Sequence, residues 1–141
     1  MTESTIWINA TPAEVWAVLA DPRRYSDWVV GTTESFGVEG EWPDEGSALR
    51  WETGVGPARA GDRTHVLRCE PRRRLDLRAE LGALGAVDVH VELVADGDGT
   101  TAKLAEEATA GAARVASPVV DAVNAVRTAF SLERLKEIVE P

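Results

Sequence analysis

The chain has 141 residues, 24 of them acidic and 15 basic, for a formal net charge of −9. That length suits one domain with a sizeable core. The acidic balance argues against nucleic acid as the main partner, because phosphate binding needs a positive surface.

In chain order, Ser4 to Ala10 reads as a strand, with Ile6, Ile8 and Ala10 on one face and Thr5, Trp7 and Asn9 on the other. Thr11-Pro12-Ala13-Glu14 is a helix start: Thr11 caps, Pro12 suits the first helical position and Glu14 completes a capping box. Val15, Trp16 and Leu19 share a face of that helix, Asp21-Pro22 ends it, and Asp21 caps a second short helix through Tyr25 and Trp28.

From Thr32 the period changes to two. Thr32–Glu39 and Ser47–Thr53 flank a turn holding Trp42-Pro43, and a loop with Gly54, Gly56, Pro57 and Gly61 follows. Arg63–Glu70 is the next strand, turned at Pro71–Arg73. Two alternating strands come next: Leu75, Leu77, Ala79 and Leu81 against Asp76, Arg78 and Glu80, then Val87, Val89, Val91 and Leu93 against Asp88, His90 and Glu92. Asp96-Gly97-Asp98-Gly99 is a hairpin turn. Thr100–Thr109 is the last strand, with Ala102, Leu104 and Glu106 on one face. After a link at Gly111 to Ala116, Ser117 caps and Pro118 opens a long helix to Glu140, with Val119, Val123, Val126 and Phe130 as an apolar stripe.

The order β-α-α-β-β-β-β-β-β-α is an α+β arrangement in which a long helix covers the apolar face of an antiparallel sheet and leaves room for a pocket. Several phrases resemble the START-like helix-grip superfamily, also called SRPBCC, and within it the polyketide cyclase/dehydrase group. They are Ile8 to Trp16, Asp21-Pro22 leading to Trp28, Glu70-Pro71-Arg72-Arg73-Arg74-Leu75, and Gly97-Asp98-Gly99-Thr100. These are capped helices and hairpin turns, specific for the fold and silent on catalysis. The resemblance spans essentially the whole chain and implies one START-like domain over 1–141. It further implies a seven-stranded sheet wrapped around the C-terminal helix with an apolar cavity between them. Family members bind lipids, sterols, polyketides or hormones, and some cyclise or dehydrate polyketides, so the family is a weak guide to chemistry.

Signatures of chemistry are sparse. The chain has no phosphate loop, no Gly-x-Ser-x-Gly elbow and no Cys/His cluster, so neither metal nor cofactor is expected. Glu106, on the Ala102/Leu104 face, is a candidate acid/base if it points into the cavity, the plainer reading being a solvated carboxylate at the cavity mouth. His65 alternates with Leu67 and Cys69 and is a second candidate. Val66 competes for the inner face, however, and a bulge would flip the parity. His90 is assigned to solvent.

The expected ligand lining is Trp28, Trp51, Leu67, Leu77, Val89, Leu104, Val123 and Phe130, with Arg127 placed to meet Glu106 or an acidic ligand group, the plainer reading for Arg127 being a surface residue whose stem packs against the sheet. Simple core packing is an equal reading for the tryptophans, of which the chain has five. Trp42 is read as part of a mouth or interface. The run Arg72-Arg73-Arg74 is read as the solvated rim of a hairpin. Cys69 is the single cysteine, so a disulfide framework is excluded, and it reads as a small core hydrophobe.

Met1 to Asn9 lacks the pattern of a signal peptide, and no run approaches the roughly 18 apolar residues of a membrane span. A cytoplasmic protein without membrane insertion is expected. The first functional reading is binding or transport of a small hydrophobic, lipid- or polyketide-like ligand. A polyketide cyclase/dehydratase comes second. A protein-interaction module using Trp7 and Trp42 comes third, and a homodimer fits any of them.

Overall fold

The structure, a computed structural model, describes residues 2–29, 34–53, 60–80, 85–110 and 118–140. The side chains of 34–36, 52–53, 60–62, 110 and 118–127 lie outside the described part. Seven strands form one antiparallel sheet: β1 (Thr2–Ile8), β2 (Glu34–Glu39), β3 (Ala48–Thr53), β4 (Ala60–Glu70), β5 (Arg74–Glu80), β6 (Ala86–Asp96) and β7 (Gly99–Ala110). Their spatial order is β1-β7-β6-β5-β4-β3-β2. Helix α1 (Pro12–Leu19), a 3-10 turn (Pro22–Arg24) and α2 (Tyr25–Trp28) lie between β1 and β2, and α3 (Pro118–Val139) follows β7. This is the predicted order. β4 begins three residues before the predicted Arg63, and Leu81, the 54–59 loop, the 111–116 link and the Ser117 cap fall outside the described residues.

At α1 the local signals act as read. Glu14 N donates to Thr11 Oγ1 at 3.2 Å and Thr11 N donates to Glu14 Oε1 at 3.2 Å, completing the capping box. Such a cap contributes about 1 kcal/mol. Asp21 caps the 3-10 turn rather than α2, which has no side-chain cap: its carboxylate accepts from Arg23 N at 3.0 Å, and the hydrogen-bonded Arg23 guanidinium holds that carboxyl below the usual carboxylate range.

The inner face of the sheet is built by period-two alternation. Ile8, Ala102, Leu104, Val91, Leu93, Leu75, Leu77, Val66 and Leu49 are all buried in one core cluster. The outer face of β5 and β6 is a ladder of polar cross-strand pairs. Arg74 lies opposite Glu92, Asp76 opposite His90, and Arg78 opposite Asp88. The three rungs close at 3.2, 2.9 and 2.7 Å. Each such pair contributes about 0.2–1 kcal/mol, and together they fix the register of the hairpin. His90 is on the outer face as expected, bonded to Asp76 through Nδ1.

Three residues expected to face inward, His65, Leu67 and Phe130, are corrected here. His65 and Leu67 do not face inward. Val66 takes the inner face, and the register shifts between Val66, opposite Leu77, and Arg68, opposite Asp76. The bulge absorbs one residue, so Leu67 is left 42% exposed while Cys69, beyond it, returns to pack against the core. His65 lies outside with its Nε2 3.2 Å from Glu80 Oε2.

Phe130 also faces away, at 57% exposure. The buried residues of the described half of α3 are Thr128, Ser131, Leu132 and Leu135. They follow the i, i+3, i+4, i+7 pattern, and at 3.6 residues per turn Phe130 falls on the side opposite Thr128 and Leu132.

Candidate ligand-binding site on the inner face of the sheet

The helices lie over the inner face. α3 packs on β1 and β7, and α1 and α2 pack on α3. The Ser4 and Thr128 hydroxyls share a 2.9 Å hydrogen bond between β1 and α3. At the C-terminal end of β1, Asn9 N donates to Glu140 Oε1 at 2.6 Å and Lys136 Nζ donates to the Trp7 carbonyl at 2.8 Å.

An aromatic wall stands at the β3–β4 side. Tyr25 meets Trp28 and Trp42 edge-on, with ring centroids 6.0 and 6.1 Å apart. The Tyr25 hydroxyl is 3.1 Å from Thr64 Oγ1 on β4, a fully buried pair. Trp28 and Trp51 belong to the same core cluster. Trp42 is corrected from a mouth or interface residue to part of this wall, because its Nε1 donates to the Leu19 carbonyl at 3.3 Å and its ring packs on the core.

Trp51 Nε1 is buried and has no hydrogen-bond partner among the described residues. A buried donor left without an acceptor costs about 1–3 kcal/mol, so native folds hold few of them.

Glu106 lies on the inner face of β7, opposite Val89 of β6 and Thr2 of β1. It is 6% exposed, so the solvated-mouth reading does not hold. His65 and Glu106 occupy opposite faces of the sheet, so they cannot converge on one reacting atom. Four strand spacings separate Glu106 on β7 from Trp51 on β3, roughly 19 Å along the sheet. The inner face thus carries Glu106 toward one side and the Trp51 indole toward the other, with Leu75, Leu77 and Val91 on the strands between them.

Of the expected lining residues, Leu77 and Leu104 are buried in the core cluster and Val89 packs against it. The side chains of Val123 and Arg127 lie outside the described residues. Sequence reading missed Thr64, Thr128 and Ser131, all buried polar residues. Thr64 alternates with Val66, which was the available signal. Cys69 is half-buried, and burial together with Asp44 and Glu45 pushes its thiol above the ordinary range. No group of three metal-ligating side chains occurs among the described residues. None of their helices is long and apolar enough to cross a membrane.

A seven-stranded antiparallel sheet with a long C-terminal helix against its inner face defines the START-like, helix-grip class. The chain belongs to the polyketide cyclase / dehydrase and lipid transport family, whose family model matches residues 2–140. No curated protein matches it in sequence.

Among solved structures it is similar to DynU16, a protein in the dynemicin biosynthetic locus, at 21% identity and TM-score 0.74. That likeness covers 99% of this chain and 46% of DynU16, so the chain spans under half of that relative. CalU16 from Micromonospora echinospora is 24% identical at TM-score 0.68, covering 99% of this chain and 75% of that one. Ara h 8.0201 is 13% identical at TM-score 0.74, covering 97% of this chain and 95% of that one. At these identities the likeness is one of fold.

Proposed function

We propose that residues 1–141 act as one START-like domain that binds a small hydrophobic, lipid- or polyketide-like molecule between the inner face of the sheet and α3. The observation that carries this reading is the buried Trp51 Nε1, which has no hydrogen-bond partner among the described residues, on a wall of mainly apolar core residues. Ligand sites are mostly apolar with a few placed polar groups, and an unpaired donor in such a wall suits a ligand carbonyl or hydroxyl oxygen. The family description, which includes lipid transport, supports the same reading.

Native mass spectrometry of freshly purified protein, followed by denaturing extraction, tests it. A co-purified apolar molecule whose retention drops in Trp51→Phe is the expected result. Absence of any bound species, together with no saturable tryptophan quenching by apolar probes, would overturn it. The same spectra read monomer against homodimer.

A second reading, an enzyme of the cyclase/dehydratase kind, is supported by the burial of Glu106. A desolvated carboxylate is suited to taking a proton beside a carbonyl. With His65 on the other face, this reading rests on Glu106 as the acid/base. Glu106→Gln should then abolish turnover of a polyketide-like substrate while binding survives. Loss of binding alone would refute the catalytic role.

A further inference from the structure

The β4–β5 turn, the C-terminal part of β6 and the start of α1 enclose a groove of about 710 Å³. It shares only the buried Leu93 with the inner face described above. Arg68, Arg72, Arg73 and Arg74 line it together with Glu70 and Glu92, an excess of two positive charges in a chain of net charge −9.

The two carboxylates are already committed. Glu70 pairs with Arg68 at 3.2 Å, and Glu92 pairs with Arg74 at 3.2 Å, while Arg74 also reaches Asp76. Among the described residues, Arg72 and Arg73 have no ion pair, and both are exposed. The surplus charge therefore belongs to these two adjacent guanidinium groups.

The backbone places them firmly. Arg73 N donates to the Glu70 carbonyl at 3.0 Å, closing the turn, and Leu93 N donates to the Arg73 carbonyl at 2.8 Å, tying the turn to β6. Arg72 occupies the third turn position with φ +66°, a conformation that suits glycine. A non-glycine residue held there costs energy, and such strain concentrates where a side chain serves a ligand. Pro12, Val94 and Ala95 supply apolar surface beside the charges, and Val94 is largely exposed.

We propose that this groove binds a small amphipathic anion, with a carboxylate or phosphate held by Arg72 and Arg73 and an apolar chain along Pro12, Val94 and Ala95. Paired guanidinium groups match the oxygens of either head group. A concave site with an apolar wall favours a ligand that carries a tail over a bare inorganic ion.

The test is a titration of the full chain with monomeric decyl phosphate, alongside inorganic phosphate and phosphatidylglycerol vesicles. The variants are Arg72→Gly with Arg73→Gln, and Arg134→Gln on α3 as a control. Glycine suits the φ at position 72, so the double variant keeps its fold, as a thermal melt will verify.

Saturable binding of decyl phosphate that weakens at least about tenfold in the double variant, and not in the control, is expected. Inorganic phosphate should bind at least about tenfold more weakly, lacking the tail. Equal affinity in the double variant would place the decyl phosphate elsewhere and overturn the proposal. Arginine-dependent flotation with vesicles but no binding of the monomer would make this a membrane-facing surface and also overturn it. No binding of any probe has the same consequence. Apolar quenching of the inner-face tryptophans should be unchanged in the double variant, so failure of the inner-site reading would be separately visible.

Discussion

The Tyr25 hydroxyl sits 3.1 Å from Thr64 Oγ1, joining the short helix α2 to the middle of β4 inside the core. It ties the aromatic wall to the sheet from the helix side. Tyr25→Phe would leave a buried hydroxyl without this partner, and Thr64→Val would do the same to Tyr25. Each should cost about 1–2 kcal/mol. In urea unfolding, the double variant should lose about 1 kcal/mol less than the sum of the singles. Strict additivity would show that the pair contributes nothing of its own.

Gly99 opens β7 directly beneath the Trp7 ring. A Cβ there would collide with the Ile8 carbonyl and the indole of Trp7, and backbone cannot move aside as a flexible side chain can. Gly99→Ala should destabilise by about 1–3 kcal/mol. It should also shift the fluorescence of Trp7, whose Nε1 bond to the Asp96 carbonyl is 3.1 Å long. A variant with wild-type stability and spectrum would refute the close approach.

Arg72 is the only non-glycine residue with positive φ among the described residues. Arg72→Gly should raise stability by about 0.5–1 kcal/mol, after allowing for the greater freedom of glycine in the unfolded chain. Arg72→Ala keeps the strain and should give no gain. Chemical denaturation of the two variants side by side separates conformational strain from loss of the charge.

Burial, with Asp44 and Glu45 nearby, raises the Cys69 thiol above its ordinary range. The thiolate is the reactive form, so alkylation by iodoacetamide should be slower than for a free thiol at neutral pH and should rise only in alkaline solution. Glu45→Gln should move the rate profile to lower pH. The fold favours the protonated thiol. Its contribution to stability is therefore present below the ordinary thiol pKa and is lost as pH rises through the raised one. A rate profile matching an unhindered cysteine would contradict this placement.

Much of the architecture was legible in the chain. The Thr11/Glu14 capping box, the Asp21 cap and the alternation of Leu75, Leu77 and Ala79 against Val89, Val91 and Leu93 depend on neighbours a few residues away, which a linear reading can see. Glu106 was placed on its face correctly by the same parity. Its burial was not legible, because depth depends on what α3 and β1 lay over it.

What sequence alone determined, then, was element order, the helix caps and the two-sided character of the β5 and β6 strands, all set by short-range chemistry and periodicity. Tertiary structure decided the rest. Whether Val66 or Leu67 faced the core turned on a bulge fixed by pairing to β5, and the face of α3 that is buried turned on its packing against β1. The surplus charge of Arg72 and Arg73 emerged only once Glu70 and Glu92 had taken Arg68 and Arg74 as partners. Each is a choice between alternatives nearly equal within the local sequence, settled by contacts between residues far apart in the chain.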